Sequence, residues 1–285
     1  MIEIKSKETG QVLLSLDADS LTSADLRAAN LRGADLSNMD LRHTDFSMAN
    51  LSGADMSNSQ MQFANFSGAN LSNANLLGSD LSRCVFSSGR ASGAADLNHA
   101  NLRETIMLAA ELDFVNLQHT SLKDADLSYA SLKSADISHS DLSEADLCEA
   151  SFHHANLSYC NLSDSDLCGA SFNNADLKNA ILDRAELSGE ITQKAAVFTL
   201  ADLENASLAG AHMVRAIFKK SNLSQANMQN ADLTDVILSN AVLRGANVAG
   251  ADFSGVALSS VNLQFANFSQ AKNADIPENK KLNLR

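Results

Sequence analysis

Carboxylates recur in this chain at a spacing that would align them. Glu104, Asp124, Glu144 and Asp164 lie 20 residues apart, and so do Asp126, Asp146, Asp166 and Glu186. A third series at the same spacing holds His99, His119, His139 and Tyr159. Paired carboxylates can share acid–base work, but only in a pocket that separates their pKa values. Stacked imidazoles can hold a transition metal or respond to pH, yet three ligands in one line do not surround an ion as zinc requires. What remains for an acidic row is electrostatic: it attracts a basic groove and repels nucleic acid. Whether these side chains form rows at all depends on the elements that carry them.

Every fifth residue is apolar from Leu21 to Phe86, from Leu97 to Leu187 and from Phe198 to Phe268. All 48 positions hold Leu, Phe, Met, Ile or Val, and Ala stands two residues before 32 of them. A period of five fits neither an isolated helix nor an isolated strand. The chain is therefore a repeat array in which each unit packs on its neighbours. Pro277 is the one proline, as suits a body whose backbone N–H groups are needed for ladders. The strict beat also rules out a disordered polar chain.

Units such as Ala34-Asp35-Leu36-Ser37-Asn38 and Ala145-Asp146-Leu147-Cys148-Glu149 resemble the A-(D/N)-L-x-x unit of pentapeptide-repeat proteins. The resemblance covers residues 19–271. It implies an all-β fold, a right-handed quadrilateral parallel β-helix (a β-solenoid) of about 12 coils with 20 residues each. It implies little about activity, because the family is functionally mixed. The residues themselves support the coil length. Phe46, Phe66 and Phe86 are 20 apart, as are Phe152 and Phe172, and Phe198 and Phe218. Wide layers pack best on wide layers.

Residues 1–20 differ from the rest. Ile2 and Ile4, then Thr9-Gly10, then Val12, Leu14 and Leu16 read as a hairpin of period two, expected to cap the raw edge of the first coil. The β-helix is expected over 21–271, and 272–285 as a weak cap or a disordered tail. Interruptions fall at 87–96 and 188–197, where Ser87-Ser88-Gly89-Arg90 and Ser188-Gly189-Glu190 have loop chemistry. Each jumps 11 residues, read as two units plus one extra. On that count the breaks are five coils apart and share a face. They serve as bulges or as small docking loops.

The formal charge is −13, and residues 91–190 alone carry 5 basic and 17 acidic groups. Residues 191–285 carry 9 basic and 7 acidic groups. Two carboxylates per ~4.8 Å coil approach the line charge of duplex DNA, about one per 1.7 Å. Like charges so close repel one another and cost stability. The blander reading is a solvating face. The residue before each centre favours Asp or Asn, whose side chain can bond the corner backbone, and the Asp126 series could be that preference alone. The Glu104 series lies at a variable position and is less easily dismissed.

Other chemistry finds little support. No G-x-S-x-G elbow, glycine-rich phosphate loop or calcium-type glycine–aspartate turn is present. Direct nucleic-acid binding, a membrane span, a cofactor and a metal are not expected. Arg215, Lys219 and Lys220 form a small basic spot. No partner is assigned to His43 or His212. Cys84 and Cys160 point inward and Cys148 and Cys168 outward, with no disulfide framework, so the cytoplasm is the expected setting. Phe63, Phe114, Tyr129 and Phe265 fall in an outward slot.

Two functions from different classes stay open. One is a non-enzymatic scaffold whose outer faces bind a protein partner. The other follows from the resemblance to quinolone-resistance pentapeptide proteins: a DNA mimic that docks its acidic edge on a type II topoisomerase, DNA gyrase or topoisomerase IV. The same resemblance implies an end-to-end homodimer through the C-terminal end, near Phe265.

Overall fold

The structure, a computed structural model, describes residues 1–189 and 194–284. It divides into two compact units, Met1–Asp141 and Leu142–Arg285. Each is a right-handed quadrilateral parallel β-helix built by one rule. The apolar centre points inward, as does the small residue two before it. In the first unit Leu26 and Leu31 are at most 2% exposed, and in the second Leu147 and Leu157 are 0% exposed.

Backbone bonds make the coil. The Leu26 N–H donates to the Asp45 carbonyl at 2.9 Å, and the Asp45 N–H to the Ala24 carbonyl at 3.0 Å. Parallel bridges therefore link residues one coil apart, Asp25 with Asp45 in the first unit and Asp146 with Asp166 in the second. Each side ends in a tight turn. The Ala29 N–H, for example, bonds the Leu26 carbonyl at 3.1 Å, and Ala28 between them sits at φ 54°. Such a turn requires a left-handed residue at its third position.

Side chains then stack as the backbone does. Phe46, Phe66 and Phe86 lie parallel at 5.1 Å between centroids. In the second unit the column runs Phe152, Phe172, Phe198, Phe218 at 4.6–4.7 Å, so the two expected Phe pairs are one stack. It continues across an interruption because the extra residues leave the ladder. Asp96 pairs with Asn70, and Val197 with Ser171, each 26 residues away. Each interruption thus adds six residues to its coil (26 against 20) rather than one. The count behind a shared face does not hold.

At the first interruption, Ser87 pairs antiparallel with Ala94 and a 3-10 turn spans Ala91–Gly93. The Ala95 N–H then bonds the Phe86 carbonyl at 2.8 Å and rejoins the coil. At the second, Glu190 lies outside the described residues. The Ala196 N–H bonds the Leu187 carbonyl at 3.0 Å. A Cβ on Gly189 would meet the Ala195 nitrogen at 2.4 Å, so glycine is required there.

Two strands open the chain. β1 (Ile2–Ser6) pairs antiparallel with β2 (Val12–Leu16) and with β3 (Ala34–Asp35) of an early coil. The Lys7 ammonium grips Asp55. At the other end α1 (Glu278–Lys281) folds back over the coil before it. The Lys280 ammonium donates to the carbonyls of Leu258, Ser259 and Val261 at 2.9, 2.7 and 2.6 Å. The Phe265 N–H donates to the Asn283 carbonyl at 2.6 Å. The segment expected to fade thus supplies donors and an acceptor that a further coil would supply.

Candidate functional site

The acidic series separate by their place on the side of a coil. The residue before each centre lies on the flat side and serves the corner after it. The Asp126 Oδ1 accepts the Ser128 N–H at 2.9 Å, Asp146 that of Cys148 at 2.9 Å, and Asp166 that of Cys168 at 3.0 Å. The longer Glu186 does the same for Ser188 at 2.9 Å. Asn fills the role equally well, as Asn65 does for Ser67 at 3.0 Å. This series is explained by the fold.

Glu104, Asp124, Glu144 and Asp164 occupy the corner itself, all exposed, at φ 57–60°. In the first unit, the Glu104 N–H donates to the Lys123 carbonyl at 3.1 Å, and the flanking pairs Asn101–Ser121 and Ile106–Asp126 stack. Glu104 and Asp124 therefore follow each other on one corner, with Asp126 beside them across the buried Ala125. In the second unit the Glu144 N–H meets the Ser163 carbonyl and the Asp164 N–H the Asp183 carbonyl, both at 3.0 Å. Asp146, Asp166 and Glu186 run alongside as paired rungs. Arg184 closes that corner with two bonds to Asp164, 2.8 and 2.5 Å.

A left-handed corner favours Asn, Asp, His and Gly. That preference accounts for Asp124 and Asp164, which looked free to vary. It also accounts for the imidazole column, His99 on His119 at 4.9 Å and His119 on His139 at 5.1 Å. It does not account for Glu104 and Glu144. Among the described residues no cluster of His, Cys, Asp and Glu is arranged to hold a metal ion, and no helix is long and apolar enough to cross a membrane.

Several partners were hidden in the sequence. His43 stacks on Phe63 at 5.1 Å, and the Arg83 guanidinium lies 5.8 Å from the same ring. The 20-residue interval between 43, 63 and 83 is the signal that could have found them. His212 pairs with Glu186 and Asp232 as a rung. Cys168 is buried rather than outward. Its sulfur lies 3.1 Å from the Ser188 carbonyl and 3.6 Å from that of Lys194, under the backbone flanking the second interruption. Burial, with Asp166 and Asp146 nearby, pushes the Cys148 thiol far above its ordinary range. It is a poor nucleophile.

The family model described as Pentapeptide repeats matches eight copies, over residues 20–58, 64–95, 93–128, 130–167, 160–189, 196–235 and 237–272. HetL, a pentapeptide repeat protein involved in heterocyst differentiation regulation in the cyanobacterium Nostoc sp. strain PCC 7120, is 30% identical. That match covers 80% of this chain and 89% of HetL, with a TM-score of 0.61. A pentapeptide repeat protein of the Arabidopsis thaliana thylakoid lumen is 25% identical over 40% of this chain and 69% of its own, TM-score 0.23. QnrB1, a plasmid-mediated fluoroquinolone resistance protein, is 15% identical over 78% of this chain and 81% of its own, TM-score 0.18. No curated protein matches significantly.

Proposed function

Since the chain belongs to the pentapeptide-repeat family, we propose that it is a non-enzymatic scaffold that binds a protein partner on the outer faces of its coils. The observation that carries this reading is the pair of glutamates, Glu104 and Glu144, at left-handed corners. The corner tolerates many residue types, Glu149, Arg83 and Gln225 among them, and does not itself call for a carboxylate, so the exposed charge of Glu104 and Glu144 is available to a partner. Around them Asp124, Asp126, Asp146, Asp164, Asp166 and Glu186 add negative charge on their respective units. Such corners suit a basic protein surface. HetL, involved in regulation of differentiation, is in keeping with action through binding. Four cysteines, none of them in a disulfide, suit a reducing setting, the cytoplasm.

The test is partner capture from a bacterial lysate with washes of rising salt. The wild-type chain should retain a partner that salt releases. Glu104→Gln, Asp124→Gln, Glu144→Gln and Asp164→Gln together should lose it. Equal retention by both removes the acidic corners from the function.

Charge density at the same corners favours one narrower reading, a DNA mimic held by gyrase or topoisomerase IV. Purified chain should then inhibit or protect supercoiling at low salt, and the four substitutions should weaken the effect. An inert wild-type protein in that assay removes the mimic and leaves the scaffold standing.

A further inference from the structure

One side of the second unit breaks the corner rule in three consecutive coils. Val197, Ile217 and Ile237 stand where Asp or Asn is usual, and they stack as rungs, Val197 on Ile217 and Ile217 on Ile237. None can offer the acceptor that an Asx side chain gives to the N–H two residues on. Apolar residues at this position elsewhere are isolated. Val85, Ile106, Ile181 and Val242 each have polar rungs on both sides. Stacked β-branched side chains do help one another, but these keep one face in water. Ile237 is 37% exposed, and Leu200 on the neighbouring corner 52%. Leu200 moreover sits at φ 62°, a conformation that a bulky side chain adopts at a cost.

Cations border the row. Lys219 and Lys220 follow Ile217 on its own coil, and Arg215 precedes it, all three exposed. None forms an ion pair among the described residues. Asp235, one coil beyond Arg215, is the acidic group nearest in the frame. In a chain of net charge −13, this is apolar surface with a basic rim.

We propose that the Val197–Ile217–Ile237 row, with Leu200 and the rim of Arg215, Lys219 and Lys220, docks a polypeptide segment that interleaves apolar side chains with carboxylates. The apolar row supplies burial, and the rim supplies charge complementarity and orientation. A bilayer fits less well, because Val197 and Ile217 are half-buried in the side and polybasic lipid sites carry about 4–8 cations. Nucleic acid fits less well, because the row offers no ring on which a base could stack. The inference rests on the scaffold reading, not on the acidic corners.

Fluorescence anisotropy on the full chain tests it, with a labelled synthetic peptide alternating glutamate and valine. Saturable binding is expected. It should weaken by about tenfold or more in Ile217→Thr/Ile237→Thr, which keeps the β-branch and hence the rungs, and again in Lys219→Gln/Lys220→Gln. Unchanged circular dichroism melts establish that both variants fold. Glu104→Gln/Asp124→Gln should bind as the wild type does, so a failure of the acidic corners leaves this result intact. Absent binding, or binding indifferent to both row and rim substitutions, overturns the proposal. So does poly-glutamate binding as tightly as the peptide, or anionic vesicles or duplex DNA binding more tightly.

Discussion

Arg184 holds Asp164 from the next coil through two parallel bonds, Nε to Oδ1 at 2.8 Å and Nη2 to Oδ2 at 2.5 Å. The pair caps the carboxylate corner of the second unit and neutralises its last member. Both side chains are largely exposed, so the pair matters little to stability. It matters more to the field.

Arg184→Gln should therefore leave the melting temperature nearly unchanged while raising affinity for a cationic probe. Titration with labelled poly-lysine at several salt concentrations should give a steeper salt dependence than the wild type. An unchanged affinity would mean that the Asp164 corner takes no part in attracting cations.

Glu104→Asn separates function from fold. Asn suits φ 57° better than Glu does, so stability should hold or rise, by up to about 1 kcal/mol. Urea unfolding measures it. Capture of a basic partner should weaken in the same variant. A clear drop in stability would mean that Glu104 is a structural residue.

Lys280→Met removes the donor to the Leu258, Ser259 and Val261 carbonyls. Part-buried acceptors left without partners should cost about 1–3 kcal/mol, and the bared edge invites pairing with another chain. Sedimentation velocity should show self-association that the wild type lacks. A wild-type chain that dimerises end to end would show instead that the tail gives way to a second copy.

Ala145 is 1% exposed in its inward slot. Ala145→Leu should overpack the coil by about 1–3 kcal/mol, and Ala145→Lys should do worse, because the charge has no partner inside. Thermal melts of the two variants give the order. An unaltered melt for Ala145→Lys would contradict the inward face.

Acid should loosen the start of the chain first. Burial pushes the Asp55 carboxyl up, but the Lys7 ammonium and the Ser57 donors outweigh it and hold the carboxyl down at about 2. A lowered folded pKa stabilises above the ordinary carboxylate value of about 3.9, and that stabilisation fades as pH falls toward about 2. In Lys7→Met the acid limb of stability between those values should flatten. An identical limb would mean that other carboxylates set it.

Much of this protein was legible in one dimension because its coil is periodic. A beat of five with Ala two residues earlier determines which side chains enter a narrow interior, since only small and apolar groups fit there. Repetition of Phe and His every 20 residues then announces which of them touch, as the Phe46 and His99 columns do. The Asp126 series was legible too, through the Asx preference for bonding a corner N–H.

What the sequence left undecided lies where periodicity ends or where sign matters. The six residues looped out before Leu97 could not be told from one residue added to two units, because the count to the next centre is the same. The burial of Cys168 depends on the Ser188 and Lys194 carbonyls, which flank the second interruption and lie against its sulfur. The left-handed corner was the deepest omission. Glu104 and Asp124 share one position in the repeat, yet only the backbone dihedral there tells that Asp is favoured by the fold and Glu is not. Tertiary structure decided these points because they depend on chain direction and torsion, which spacing alone does not encode.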